Sequence, residues 1–309
     1  MCLFFCKEDI YVYRQKEKYF ISKKQNDKKG KLVKEMHTLY GQKHGKFLKI
    51  NHRDYLEKNY NLGILHGKCK LQKMMGNNFY ELYGSYFYGL PHNVWYYIKN
   101  DMVYKKKYYY HGRLEKIESY YENGNKRDSS FYKNGKLNGF YILYYPNGNI
   151  KIESYFTNNK KNGFTMFYQK NNVLHSVVSF KNNKINGDFI KYYPNRKIMC
   201  ITSYKNGLRE GTETVYDEEG NVMIKREYYK NKSHGNTLLY NIEGNITEYQ
   251  YHQNGKMLFS KGFDPEIKEE CCICFEETNF QLKCNHTVCV KCSEKINRCP
   301  VCRRFIIYL

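Results

Sequence analysis

The sequence lacks the marks of several common protein classes. Its 309 residues contain no uncharged apolar run that approaches the roughly 18 to 20 residues needed to cross a bilayer. No phosphate-binding loop, paired-carboxylate motif or arrangement of Ser, His and Asp stands out, which argues against a kinase or a conventional hydrolase. Clustered Arg and a recognisable nucleic-acid module are also absent from the sequence, so we do not expect nucleic acid as a partner.

Acidic residues are scarce. The chain has 30 Asp and Glu against 52 Lys and Arg, which gives a formal net charge of +22. Such a charge would suit an anionic partner such as an acidic membrane surface. The basic residues, however, are 42 Lys and 10 Arg spread along the whole chain beside abundant Asn, Tyr and Ile. That composition is typical of an AT-rich genome, which explains the charge without a dedicated anion site.

The opening stretch MCLFFCKEDI is too short for the apolar core of a signal peptide, and acidic residues follow directly. We therefore expect a soluble chain in the cytoplasm. Reducing conditions there would keep Cys2, Cys6, Cys69 and Cys200, which show no pairing pattern, as ordinary buried thiols.

Cysteine is concentrated near the end of the sequence. Eight of the 12 cysteines lie between residues 271 and 302, in CCICFEETNFQLKCNHTVCVKCSEKINRCPVC. Two thiolates separated by two residues can turn toward one tetrahedral Zn²⁺, and each closed zinc site can contribute on the order of 10 kcal/mol to folding. The sequence predicts two structural Zn²⁺ ions per chain. The eight predicted ligands, in order, are Cys271, Cys274, Cys284, His286, Cys289, Cys292, Cys299 and Cys302.

Four close pairs with histidine as the fourth ligand resemble the RING finger. The resemblance implies a cross-braced fold, in which the first and third pairs bind one zinc and the second and fourth pairs bind the other. Cys272 is left over, and we expect it to be a small, partly buried side chain.

RING fingers that act as ubiquitin ligases bind a charged ubiquitin-conjugating enzyme and hold its thioester-linked ubiquitin in a reactive pose. The resemblance places Ile273, Pro300 and Val301 at the contact with that enzyme. Arg303 takes the position of a cation that bridges enzyme and ubiquitin through forked hydrogen bonds. Two alternatives stay open: Ile273 and Val301 pack in the finger's own core, and Arg303 is a solvated charge beside Arg304.

The finger departs from the usual pattern at two places. The stretch SEKINR is short, which predicts a central helix of about two turns with Ile296 as its apolar residue. That short spacing resembles the C-terminal RING fingers of apoptosis inhibitors, many of which dimerise through an apolar tail. Here the tail is FIIYL, from Phe305 to Leu309, and it is shorter than in those relatives. The tail either forms such a homodimer or closes the finger's own core.

The preceding region is repetitive. Glycines recur at steps of 24 residues, each followed five residues later by tyrosine, which chance does not produce. Apolar residues alternate with period two on both sides of Asn-Gly turns such as PNGN, which predicts β-hairpins. The recurring residues are Gly139, Gly163, Gly187, Gly211 and Gly235, with Tyr144, Tyr168, Tyr192, Tyr216 and Tyr240.

This pattern resembles MORN repeats, particularly the variant with YYPNG and YKNGKLNG turns. Trp is common in MORN strands, whereas this chain has only Trp95 and uses Tyr instead. We predict a mainly β fold: a long antiparallel β-meander of about ten 24-residue hairpin repeats, followed by a small cross-braced zinc domain. The predicted divisions are 1–20, an N-terminal segment; 21–258, the repeat array; 259–270, a linker around Pro265; and 271–309, the finger.

The pairing of these two parts indicates an E3 ubiquitin ligase whose array binds a protein substrate and whose finger recruits the conjugating enzyme. A free linker would let the finger swing toward lysines of that substrate. The alternatives are a non-enzymatic scaffold with a structural zinc finger, or an adaptor whose turn lysines bind anionic phospholipid. The combination resembles proteins of large DNA viruses or protists, which would place it in a eukaryotic cytoplasm, that of the host if the protein is viral.

Overall fold

A sequence of alternating apolar residues between tight turns folds here into successive antiparallel strands. The computed structural model describes residues 8–15, 18–51, 54–263, 269–278 and 280–306. These residues form a long antiparallel β-meander, which confirms the predicted mainly β fold class. Cys2 and Cys6, predicted to be buried thiols, lie outside the described residues. The chain divides into two units, Met1–Asn159 and Lys160–Leu309.

In the first unit each strand pairs with the next one along the chain, in antiparallel register. The strands are β1 (Glu8–Gln15), β2 (Lys18–Asn26), β3 (Leu32–Leu39), β4 (Gln42–Ile50), β5 (Asp54–Asn61), β6 (Ile64–Met75), β7 (Asn78–Phe87), β8 (Leu90–Lys99), β9 (Met102–Tyr110), β10 (Arg113–Tyr120), β11 (Lys126–Lys133), β12 (Lys136–Tyr144) and β13 (Ile150–Thr157).

The second unit continues the same hairpin pattern from β14 to β22 and then changes character. After β22 come a two-stranded pair and one helical turn. The elements are β14 (Lys160–Tyr168), β15 (Leu174–Lys181), β16 (Lys184–Tyr192), β17 (Ile198–Lys205), β18 (Leu208–Tyr216), β19 (Val222–Tyr229), β20 (Lys232–Tyr240), β21 (Ile246–Gln253), β22 (Lys256–Gly262), β23 (Glu269–Glu270), β24 (Glu277–Thr278) and α1 (Val290–Ser293).

The strand bounds differ from the predicted divisions at both ends of the array. Pairing begins at β1, inside the predicted N-terminal segment 1–20, and β2 crosses the end of that segment. β22 runs through residues 259–262 of the predicted linker, and Pro265 lies outside the described residues. Within the described part of the chain no helix is both long and apolar enough to cross a bilayer.

The turns explain why Asn and Gly punctuate the sequence. Between β17 and β18, Asn206 and Gly207 have φ of 53° and 91°, the left-handed values that a two-residue hairpin turn needs. In the turn between β12 and β13, the backbone N–H of Tyr145 donates to the Asn149 carbonyl at 2.8 Å, around Gly148 at φ 90°. Residues that tolerate positive φ are therefore placed where the chain reverses.

The glycine that repeats every 24 residues has a different role. Gly235 lies inside β20, next to an irregularity in the pairing of β19 with β20, and its φ is 94°. A Cβ at this position would overlap the carboxylate of Glu227, whose Oε2 accepts the backbone N–H of Asn236 at 2.9 Å. Gly139, Gly163, Gly187 and Gly211 also have positive φ inside strands. The period thus marks a β-bulge at Gly139, Gly187, Gly211 and Gly235, where the strand pairing shifts register.

Neighbouring hairpins of the second unit are joined by asparagine side chains. The backbone N–H of Asn183 donates to the Lys161 carbonyl at 3.0 Å, and its side-chain Oδ1 accepts the Lys161 N–H at 2.7 Å. Asn231 makes the same two contacts with Arg209, at 3.0 and 2.7 Å. Each such asparagine satisfies backbone groups of the preceding repeat, so stability comes from contacts between neighbours.

The first unit buries a carboxylate. Glu118, only 4% exposed, accepts hydrogen bonds from Lys116 at 2.8 Å, Lys126 at 3.0 Å, and the hydroxyls of Tyr108 and Tyr120 at 2.6 and 2.8 Å. Burial alone would raise the pKa of Glu118, but these donors together lower it well below its usual value. The charged form is therefore an integral part of this unit.

Candidate metal centre

All eight predicted ligands come together in two groups of four. Within each group the ligand atoms lie within 4.8 Å of one another, so each group could hold a metal ion. The groups interleave along the chain, as the cross-braced arrangement requires. One group is Cys271, Cys274, Cys289 and Cys292, and the other is Cys284, His286, Cys299 and Cys302.

Two similar backbone loops aim the cysteine pairs. In one loop the N–H of Phe275, at φ 60°, donates to the Cys271 carbonyl at 2.9 Å. In the other the N–H of Arg303, at φ 59°, donates to the Cys299 carbonyl at 2.8 Å. Each loop therefore reverses the chain directly after the second cysteine of a pair, and both thiols of the pair face the same group.

The histidine is held by a tight turn. Asn285 has a φ of 63°, and its N–H donates to the Leu282 carbonyl at 2.8 Å, while the N–H of Leu282 donates to the His286 carbonyl at 2.9 Å. This turn brings His286 Nδ1 to 3.4 Å from Cys284 Sγ. A single residue between the two ligands is thus enough to place both in one group.

The electrostatics of the thiols fit a bound cation. Burial works to raise the pKa of Cys271, but backbone N–H groups near the thiolate lower that pKa to about 6. The hydrogen bond with Cys289 is the main reason that the pKa of Cys292 rises to about 12. Four close thiols cannot all ionise by themselves, because their negative charges repel. A divalent cation removes this conflict, since it binds thiolates and displaces their protons.

The distances also fit zinc. Cys274 Sγ and Cys289 Sγ lie 3.5 Å apart. A zinc–sulfur bond of about 2.3 Å in tetrahedral geometry separates two sulfurs by roughly 3.8 Å. The soft thiolate and imidazole donor set favours Zn²⁺ over oxygen-binding cations such as Mg²⁺. The residues present therefore fit two structural zinc ions, which when bound would hold the fold.

The Cys/His module, defined as residues 269–306, packs directly on the last strands of the array. Its buried Phe280 ring contacts the Tyr249 ring of β21 edge-on, with centroids 5.4 Å apart, and the Phe263 ring at 5.5 Å. Leu238 and Ile246 of the array are buried in the same apolar cluster. The sequence predicts a free linker that would let the module swing. The structure instead shows the module packed on the array, and a swinging module would have to expose this apolar surface to water.

Polar contacts reinforce the junction. Lys261 of β22 extends its Nζ to Gln281 Oε1 at 3.3 Å and to Asn285 Oδ1 at 3.1 Å. Burial lowers the pKa of this lysine below its ordinary value. An open cleft of about 580 Å³ lies beside these contacts, with Phe259 and Leu282 in its wall. The array and the module thus share one apolar core with a polar rim.

The helix is shorter than predicted, and the described part of the tail packs on the module itself. The predicted two-turn helix is a single turn, Val290–Ser293, and Ile296 packs on the core from beyond its end. In the tail, the N–H of Ile306 donates to the Asn297 carbonyl at 2.9 Å, and Arg298 stacks on the Phe305 ring at 3.9 Å. Ile306 packs on the module's core, whereas Phe305 is 62% exposed. The tail beyond Ile306 lies outside the described residues, and dimerisation stays a prediction.

The four predicted contact residues lie on the surface. Ile273 is 38% exposed and Val301 is 56% exposed, and neither belongs to the buried cluster. Pro300 and Arg303 are exposed as well. Packing in the finger's own core, the alternative for Ile273 and Val301, is therefore not what the structure shows. Cys272 is half-buried and belongs to neither metal group, as its leftover position suggested.

Sequence reasoning missed the residues of the junction. Phe280 and Leu282 are 3% and 5% exposed, and with Tyr249 they connect the module to the array. The alternation in FQL, apolar then polar then apolar, is the one local signal that a face is buried there. Their contact partner in the array could not be read from that signal.

Comparison with protein families supports the reading of the array. Residues 137–158 and 209–231 match the MORN repeat variant family. These two stretches fall on hairpins of the meander, one in each unit. No curated protein matches the chain.

Proposed function

We propose that the chain is a RING-type E3 ubiquitin-protein ligase. The observation that supports this most strongly is the interleaved pair of Cys/His groups, together with the exposure of residues at the positions expected to meet a conjugating enzyme. Ile273, Pro300 and Val301 would provide the apolar contact. Arg303 would bridge the conjugating enzyme and its ubiquitin, because a guanidinium donates two parallel hydrogen bonds to one acceptor pair.

The ligase contributes position rather than a nucleophile. The zinc ions, when bound, supply no reactive group and hold the loops that carry these residues. A charged conjugating enzyme seated on Ile273 and Val301 would have its thioester held in a reactive orientation, which accelerates transfer by restricting motion. The array would capture the protein substrate. Docking of the module on β20 to β22 would keep the enzyme at one fixed place beside the last hairpins.

Metal content is the first test. Elemental analysis of the native protein is expected to give two zinc ions per chain. The purified protein is then incubated with ubiquitin, activating enzyme and a panel of conjugating enzymes. Ubiquitin chains with at least one of them support the proposal, whereas no chains from zinc-replete protein with any of them would refute it.

A matched pair of variants sharpens the assay. Ile273→Ala is expected to lower chain formation by about tenfold or more, since central apolar contacts dominate such interfaces. Its zinc content should not change. Ile242→Ala removes an 83% exposed isoleucine from the array and should leave chain formation intact. Zinc binding and partner capture without any chain formation would favour the non-enzymatic scaffold, and salt-sensitive binding to anionic vesicles would favour the membrane adaptor.

A further inference from the structure

One edge of the first unit carries large residues at turn positions that the fold mostly fills with asparagine elsewhere. The first residue of a hairpin turn is Asn134 between β11 and β12 and Asn158 after β13, with φ of 51° and 50°. In the second unit the corresponding position is Asn182, Asn206, Lys230 or Asn254. Asparagine suits this position because it tolerates left-handed backbone conformations.

Earlier in the array the same position is occupied differently. It is Tyr40, Leu62, Tyr88 and His111, with φ between 43° and 52°. Bulky residues are strained in this conformation, and these do not bury their side chains in return. Tyr40 is 55% exposed, Leu62 45% and Tyr88 60%. The fold does not require them there.

Backbone hydrogen bonds align the successive turns side by side. The N–H of Gly63 donates to the Lys43 carbonyl at 2.7 Å, and that of Gly89 to the Leu65 carbonyl at 2.7 Å. Glycine at the second turn position also makes room, because Leu90 side-chain atoms lie 3.2 Å from where a Cβ of Gly112 would be. The apolar side chains therefore lie next to one another across three hairpins.

These side chains form one continuous surface. We define the aromatic turn patch as Leu62, Ile64, Phe87, Tyr88, Leu90 and Tyr110, all of which are at least 37% exposed. Histidines join the rings: His66 lies 5.3 Å from Phe87 and 5.1 Å from Tyr88, and His92 lies 6.0 Å from Tyr110, centroid to centroid. Contiguous exposed apolar surface of this kind marks an interaction site.

The charge around the patch indicates what would bind. The turn segments 40–44, 61–66, 87–92 and 110–114 contain Lys43, Arg113 and four histidines, and no Asp or Glu. These segments thus offer cations and apolar contact area, and the exposed Glu115 directly follows the last of them.

The histidines present hydrogen-bond donors. Nδ1 of His66 accepts the backbone N–H of Tyr88 at 3.5 Å, and Nδ1 of His92 accepts that of His111 at 3.3 Å. Since Nδ1 is the acceptor, the neutral ring carries its proton on Nε2, where it can donate to a carboxylate.

We propose that the aromatic turn patch docks a segment of the array's protein substrate that combines apolar with acidic side chains. The inference rests on the proposed function, in which the array selects the substrate. The apolar side chains of the segment would cover Leu62, Tyr88 and Leu90. Its carboxylates would meet Lys43, Arg113 and the imidazole Nε2–H donors.

The test uses random peptides displayed on phage and selected on the full-length protein. A consensus rich in apolar and acidic residues is expected, and its synthetic peptide should bind with an affinity that falls as salt rises. Leu62→Asn and Tyr88→Asn place at the turn the residue that other repeats use. They are expected to weaken peptide binding by about tenfold or more each and to raise the melting temperature. Phe164→Asn, at a 63% exposed position outside the patch, should change neither affinity nor consensus.

The outcomes separate the possibilities. A basic or purely polar consensus would overturn the inference. It would also be overturned if the Leu62→Asn and Tyr88→Asn variants bound the peptide as tightly as the wild-type protein does. So would patch-dependent binding to phosphatidylserine vesicles without patch-dependent peptide binding, because the patch would then be a membrane contact. Both variants should still form free ubiquitin chains. If no ubiquitin chains form, the result counts against the ligase proposal alone. If ubiquitin chains form but peptide binding does not depend on the patch, the result counts against the docking inference alone.

Discussion

Replacing Phe280 with alanine should uncouple the Cys/His module from the array while the metal sites stay filled. The Phe280 ring is 3% exposed and contacts Tyr249 and Phe263. Truncating a buried phenylalanine costs about 3 to 5 kcal/mol, which includes about 0.5 to 1.5 kcal/mol for each aromatic pair. The eight ligands are unchanged, so the variant should still hold two zinc ions. The lost energy should therefore appear as local opening of β21 and β22.

Hydrogen exchange with mass spectrometry measures this opening directly. Since about 1.4 kcal/mol corresponds to a tenfold change, amides of β21 and β22 should exchange at least about a hundredfold faster in Phe280→Ala. The matched control is Phe275→Ala, because Phe275 belongs to the same module but is 72% exposed. That change should alter stability by less than about 0.5 kcal/mol. Equal protection of β21 and β22 in both variants, with zinc content intact, would refute the reasoning that the junction stabilises the end of the array.

Two further predictions concern the array. Gly235→Ala should destabilise the second unit by about 1 to 3 kcal/mol more than Gly244→Ala in thermal unfolding, because only the first would displace Glu227. Equal losses would mean that backbone strain alone matters, since both glycines have positive φ. Glu118→Gln should lower the stability of the first unit by about 1 to 3 kcal/mol at neutral pH, followed by the fluorescence of buried Trp95. Because the folded pKa of Glu118 is depressed, its contribution is complete above pH 4.5 and is lost progressively below it, so the variant should show a flatter acid dependence there. Parallel acid curves for the two proteins would contradict this assignment.

The repeat array was largely predictable from the sequence because its contacts are local. Each Asn-Gly turn specifies a reversal through its own backbone preference, and each alternating segment specifies a strand. A glycine every 24 residues indicates the repeat in the sequence. The structure gives the cause, which is the positive φ of Gly235 and its equivalents at a bulge. The metal groups were predictable for a similar reason, since close ligand pairs such as Cys299 and Cys302 are brought together by short loops.

Contacts between distant parts of the chain were decided only by the tertiary structure. Nothing in the position of Phe280 in the sequence indicates that it packs on Tyr249 rather than within the module. The hydrophobic effect is non-directional, so an apolar residue does not specify its contact partner. The same holds for the aromatic turn patch. Leu62 and Tyr88 are ordinary hydrophobic residues in the sequence, and only their strained, exposed positions on one edge of the sheet distinguish them from core residues. Local preference is encoded residue by residue, whereas adjacency across the fold depends on where all the strands finally lie.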